Sequence, residues 1–168
     1  MISIAFALAA APVAEQMAPA KRGMLQCQMP DALFKTCASL SKVVEAGPST
    51  YRIQTRMLLD PNGPVVATMN TTVTVQGTEI CERMKLADLS AATLTSAGKP
   101  IPAASAARYL SVMRRGFAAL DGKQVCTEIV ADDQGTTKVL GRISGKRMPA
   151  LDYDMIWVAA GDGWTVAR

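Results

Sequence analysis

Side-chain polarity alternates with a period of two along most of this chain, and that period suits strands with one buried face rather than helices. Over residues 51–59, Tyr51, Ile53, Met57 and Leu59 alternate with Arg52, Gln54 and Arg56. Over residues 65–75, Val65, Ala67, Met69, Val73 and Val75 share one face, and Thr68, Asn70, Thr72 and Thr74 share the other. Pro61-Asn62-Gly63-Pro64 supplies a turn between these runs, and Gln76-Gly77 suits a hairpin turn into a third strand. The pattern returns further on, with Val125, Thr127, Ile129 and Ala131 in one phase and Val139 and Ile143 in the next. Tyr153, Met155, Trp157 and Ala159 form another face. Turns fall at Asp132-Asp133-Gln134-Gly135 and Gly161-Asp162-Gly163. Residues 34–45 fit both periods, but the β-branched tail and Ala46-Gly47-Pro48 assign them to one arm of a hairpin.

One segment breaks the alternation. Ala106, Leu110, Met113, Phe117 and Leu120 recur three and four apart, which makes one apolar stripe on a helix over about 103–120. Pro102 suits its first turn and Gly122 its C-terminal cap. Gly116 inside it costs about 1 kcal/mol relative to alanine, which points to close packing at that position. Strands on both sides of a single helix, joined by hairpins, predict an α+β fold. The expected architecture is a strongly curved, mainly antiparallel sheet of about 8–10 strands packed around the long helix at about 103–120, with two disulfides.

At 168 residues the chain has the length of one domain with its own core. Residues 1–14 carry an apolar run of small side chains and an Ala7-Leu8-Ala9 cleavage pattern, although no Lys or Arg precedes the run. They read as a signal peptide. Residues 15–21 then form a flexible lead, and 22–168 a single domain. No later segment has transmembrane length, so no integral membrane span is expected in the mature chain. The expected location is periplasmic or extracellular.

In that compartment the four cysteines read as two disulfides. Cys27 and Cys37 are local, and a turn through Met29-Pro30-Asp31 brings them together, with Phe34 expected to turn inward. Cys81 and Cys126 both lie on the polar phase of their strands, so they meet on the outer face of one sheet. Bridges over these separations stabilise by roughly 3 and 4 kcal/mol on the chain-entropy account. A Cys₄ zinc site needs paired C-x₂₋₄-C knuckles, and a thioredoxin-like centre needs C-x-x-C. Neither spacing occurs. No metal ligand set is assigned, Met24, Cys27 and Met29 included.

The chain contains no histidine. Ser-His-Asp triads, Cys-His dyads and histidine-ligated zinc or haem are therefore impossible within it. The formal net charge of +4 is mild, and no basic stripe interleaved with aromatics suggests nucleic acid. Ser39–Lys42 and Ser96–Lys99 match the Ser-x-x-Lys spacing of serine acyl-enzymes, without the downstream motifs that accompany it. Asp152 and Asp154 make the best carboxylate pair, and a solvated strand face with cross-strand partners Lys138, Arg142 and Lys146 accounts for them. Gly141 and Gly145 beside Lys146 and Arg147 lack the spacing of a phosphate loop. Asn70-Thr71-Thr72 is a glycosylation sequon. No catalytic or cofactor-binding residue is assigned, and no cofactor is expected. The balance is against catalysis. The function expected is an exported, non-enzymatic binding domain for a partner protein or an apolar small molecule. The alternatives are a histidine-independent hydrolase or lyase using carboxylates or Ser/Lys, and a structural envelope component.

Overall fold

The computed structural model describes residues 17–60, 62–131 and 137–167. The proposed signal segment at 1–14 and the turn at 132–135 lie outside them. Strands β1 (Leu25–Gln28), β2 (Thr36–Cys37), β3 (Ser39–Ala46), β4 (Thr50–Asp60), β5 (Val65–Gln76) and β6 (Glu79–Arg83) come first in the chain. A short β7 (Thr93–Ser96) and β8 (Lys99–Pro100) form an excursion. Then follow β9 (Gln124–Ala131), β10 (Thr137–Ile143), β11 (Lys146–Arg147), β12 (Tyr153–Val158) and β13 (Thr165–Val166). The helices are α1 (Ala18–Lys21), α2 (Leu86–Ser90) and α3 (Ala103–Phe117).

Eight of the strands close into an antiparallel barrel, in the order β1, β3, β4, β5, β6, β9, β10, β12 and back to β1. The last pairing joins Leu25–Gln28 to Val158–Met155. This corrects the expected sheet packed around one long helix. The alternation does mark buried and exposed strand faces. The inner face is covered, however, by the far side of its own sheet rather than by a helix. Closure removes the edges that an open sheet of this width would expose.

Directly opposed residues share a face, so the registers define the interior. Tyr153 and Ile129 flank Val139 from either side in one row. Tyr51 and Val73 face each other in another. Met155 and Val139 are fully buried, and with Ile129 they fill one part of the barrel, against Tyr153, Trp157 and Ile80. At Gly141 of β10 a side chain would collide with Leu151, so only glycine permits that approach.

Both ends are occupied. Met17 and Ala20, on and beside α1, are buried against Tyr51, Val73, Val43 and Trp157 at one end. These two residues fall in the segment expected to be a flexible lead, and they plug the barrel instead. At the other end, α3 lays Ala106, Tyr109, Leu110, Met113 and Phe117 over Val65, Ala67, Met69 and the β7 residue Leu94. The apolar stripe is the expected one, but the helix stops at Phe117, with a 3₁₀ turn over Ala118–Leu120. Asp60 ties it down by accepting a hydrogen bond from the Tyr109 hydroxyl (3.1 Å) and from the amides of Asn62 and Gly63.

A smaller core lies outside the barrel wall. The disulfide Cys27–Cys37 sits in it, fully buried, with Leu40, Val66, Val158 and Val166. β13 pairs parallel with β2 and carries Val166 into place. Cys81 and Cys126 are directly opposed on β6 and β9 and form the second bridge. Spacing and strand phase favour these same pairs. Phe34 is not turned inward: it is 69% exposed and Leu33 is 83% exposed. Asp31 Oδ1 accepts from the amides of both residues and holds the tip outward. Val166 and Trp164 complete the outer core instead.

Gly116 sits exposed on α3 with room for a methyl group, so close packing does not explain it. Gly116→Ala should stabilise by about 1 kcal/mol and raise the melting temperature by about 2–4 °C. Phe34→Ala should change stability by less than about 0.5 kcal/mol. Met155→Ala, at a fully buried position, should cost about 2–5 kcal/mol. Chemical denaturation measures both.

Candidate functional site

The barrel wall is incomplete on one side. β5 pairs with β7 through Val65–Thr68 and with β6 through Thr74–Gln76. Between these ladders, residues 69–73 have a strand partner on the β4 side alone. β6 meanwhile continues along β9 as far as Arg83. The two strands splay, and a cavity of about 660 Å³ opens where they part. Its lining combines inner-face residues, among them Gln28, Ser39, Thr55, Met57, Met69, Thr71 and Glu82, with outer-face residues at the rim such as Thr72, Thr74 and Arg83. Leu89 of α2 and Phe117 of α3 form part of the roof.

The lining is polar where the rest of the interior is not. Register places Gln28 opposite Ser39, and Ser39 opposite Met57. Ser41 and Thr55 satisfy each other across the next row, with their hydroxyl oxygens 2.8 Å apart. The Ser39 hydroxyl has no such partner, although Ser39 is only 5% exposed. An unpaired hydroxyl in a dry site costs about 1–3 kcal/mol. A second hydrogen-bonding group in the cavity would recover much of it.

Among the described residues, Glu82 is a charged residue placed on the inner face. It lies in phase with Ile80 and opposite Val125 on β9, half-buried. Burial pushes its carboxyl above the ordinary range, and the Asp88 charge adds to that, while a hydrogen bond from Thr71 opposes it. Tyr153, deep in the barrel, is pushed upward mainly by burial and further by the Glu82 charge.

The residues singled out in the sequence take other places. Ser39 and Lys42 stand three apart on one strand, so they point to opposite faces. Ser96 and Lys99 are cross-strand neighbours on the β7–β8 excursion. Asp152 makes a bidentate pair with Arg147, with Nη1 to Oδ1 at 2.6 Å, and accepts from the Gly141 amide. That pairing holds its carboxyl below the usual range and pins the β10–β11 hairpin. Asp154 lies opposite Lys138 on the outer face. Arg142 stands between Glu79 (2.7 Å) and Glu128 (3.4 Å), which face each other across β6 and β9. It relieves their repulsion. Glu79 also lies close to the sulfurs of Cys81 and Cys126, but those are bonded to each other and leave no thiolate for a metal.

Reading the strands for their apolar phase passes over Thr55, Thr71 and Glu82 as a set. Each is a polar interruption in an otherwise apolar phase, between Ile53 and Met57, Met69 and Val73, and Ile80 and Met84. The signal lies in the strands themselves: three interruptions on the same buried face.

Compared with family models, with curated proteins and with solved structures, the chain matches none.

Glu82 also makes a prediction about pH. Its folded pKa lies above the unfolded value, so between the two the native state holds a proton that the unfolded chain has lost. Its contribution to stability is therefore greatest at acid pH and falls as pH rises through the folded pKa. Glu82→Gln removes that loss. Its melting temperature should match the wild type near about pH 4 and exceed it near about pH 8, by about 2–4 °C for each 1 kcal/mol of charge burial relieved. A difference that stays constant across that range would show Glu82 to be effectively solvated.

Proposed function

We propose that this chain is an exported binding domain that holds a small molecule in the side-opening cavity of its barrel. The single observation that carries the reading is the composition of that cavity. Met57, Met69, Met84, Leu89 and Phe117 supply apolar surface, and Gln28, Ser39, Thr55, Thr71 and Glu82 supply hydrogen-bonding groups. Ligand sites place convergent polar groups among apolar ones in a volume of about 300–1,000 Å³, and this cavity has that volume and both kinds of group, with the polar share larger than usual. An eight-stranded barrel is just wide enough to hold one small ligand when side chains do not fill it. The ligand implied is amphipathic rather than wholly apolar.

Export is supported by the two disulfides, which persist in oxidising compartments. Among the described residues no helix is long and apolar enough to cross a membrane. A binding role without catalysis is favoured by the occupation of the candidate carboxylates. Asp152 is committed to Arg147, and Asp60 to Tyr109 and two amides.

Protein purified without denaturation from its own host should carry a small-molecule adduct in native mass spectrometry, released on unfolding. Thr55→Trp, which fills the cavity from its wall, should abolish the adduct while circular dichroism stays that of a barrel. An adduct-free wild type, with no thermal shift across a panel of amphipathic small molecules, would overturn the proposal.

A further inference from the structure

Four charged residues line the cavity: Glu82, Arg83, Lys85 and Asp88. Three of them are exposed at its rim, where water screens them. Arg83 is moreover turned outward, donating to the Gly122 carbonyl at 2.7 Å. Glu82 alone is drawn into the inner face. The groups that act on it are the Thr71 hydroxyl, which favours its charged form, and the Asp88 charge from α2, while the Glu82 charge in turn acts on the Tyr153 phenol of β12. Arg83 of β6 and Lys85 before α2 stand at the rim. No cation among the described residues forms a salt bridge with Glu82.

A carboxylate offers about four lone-pair positions, more than the Thr71 hydroxyl beside it can fill. An anionic ligand would add repulsion to a group already penalised by burial. A wholly apolar one would leave that group without compensation. A cation would supply both the charge and the missing donors, in a site where water screens poorly and charge-assisted hydrogen bonds are strong. The remaining walls suit a cation as well. Met57, Met69 and Met84 are polarisable, and Phe117 offers an aromatic ring at the roof. The Ser39 hydroxyl, nine-tenths buried and unpartnered on the same cavity, gives a second and independent point of attachment.

We propose that the cavity selects an organic cation, an alkylammonium compound whose charged head pairs with Glu82 while a second polar group takes the free Ser39 hydroxyl. This rests on the small-molecule reading above and specifies its ligand class. Glu82 is the selectivity determinant. Its Coulomb attraction discriminates by charge, and the methionine walls accept the carbon chain with little regard to its shape.

Three probes of equal chain length separate the terms: hexan-1-ammonium, hexan-1-ol and hexanoate, titrated calorimetrically into the disulfide-bonded full chain at neutral pH. The ammonium should bind roughly 10- to 100-fold more tightly than the alcohol, the effect of one hydrogen-bonded charge pair. Hexanoate should bind more weakly than the alcohol. In Glu82→Gln the ammonium should lose its advantage over the alcohol. Equal affinities for all three would overturn the cation assignment and leave the cavity reading standing, as would a preference for hexanoate. Binding of none would remove the cavity reading, and this inference with it. If Glu82→Gln does not fold, the wild-type order decides, since its three arms need no variant.

Discussion

Four residues at one end of the chain and four near the other hold this architecture together. Leu25–Gln28 pair with Met155–Val158 across a separation of more than a hundred positions. Without that ladder the sheet would have two free edges and an inner face open to water. With it, Met155, Val139 and Ile129 have an interior to fill, and both ends become places that short helices can close. β1 is held in register from both sides, by β12 and by β3, and its Cys27 is bonded to β2, which in turn pairs with β13. The staple therefore acts at the seam of the barrel, where slippage would undo the most.

The interior is divided in its chemistry. One part is dry and apolar, closed by Met17 and Ala20. The other carries an unpaired hydroxyl at Ser39 and an inward carboxylate at Glu82. Both arrangements cost stability, because polar groups removed from water must be paired to break even. Several other groups meet that requirement, Asp152 with Arg147, Asp60 with Tyr109, Ser41 with Thr55 and Arg142 with two glutamates, while the buried Thr36 hydroxyl near the outer core does not. An unpaired hydroxyl and an inward carboxylate on the same cavity are together a physical argument for a ligand there.

Much of this is legible in the order of the amino acids. The alternation places the strands, their phases set Cys81 and Cys126 on a common outer face, and the helical stripe from Ala106 to Phe117 is recovered almost to its end. What misleads is the weight given to apolar positions. Reading Tyr51, Ile53, Met57 and Leu59 as a buried row passes over Thr55, and reading Ile80 and Met84 passes over Glu82. Those omissions hide the site. Phe34 misleads in the opposite way: hydrophobicity suggests burial, but an Asx turn at Asp31 and a short β2 hold the tip away from the core.

By itself, the sequence determined the local terms: which residues are extended, which face of each strand is apolar, where the chain turns, and which cysteines are close enough and in phase to pair. These follow from periodicities and backbone preferences acting over a few residues. Tertiary structure alone decided what lies against the apolar faces. Whether a curved sheet packs on a helix or closes on itself depends on a ladder between distant segments, whose pairing leaves no local pattern. The same closure made a cavity of the three polar interruptions, because Thr55, Thr71 and Glu82 share a space only once β4, β5 and β6 curve around it.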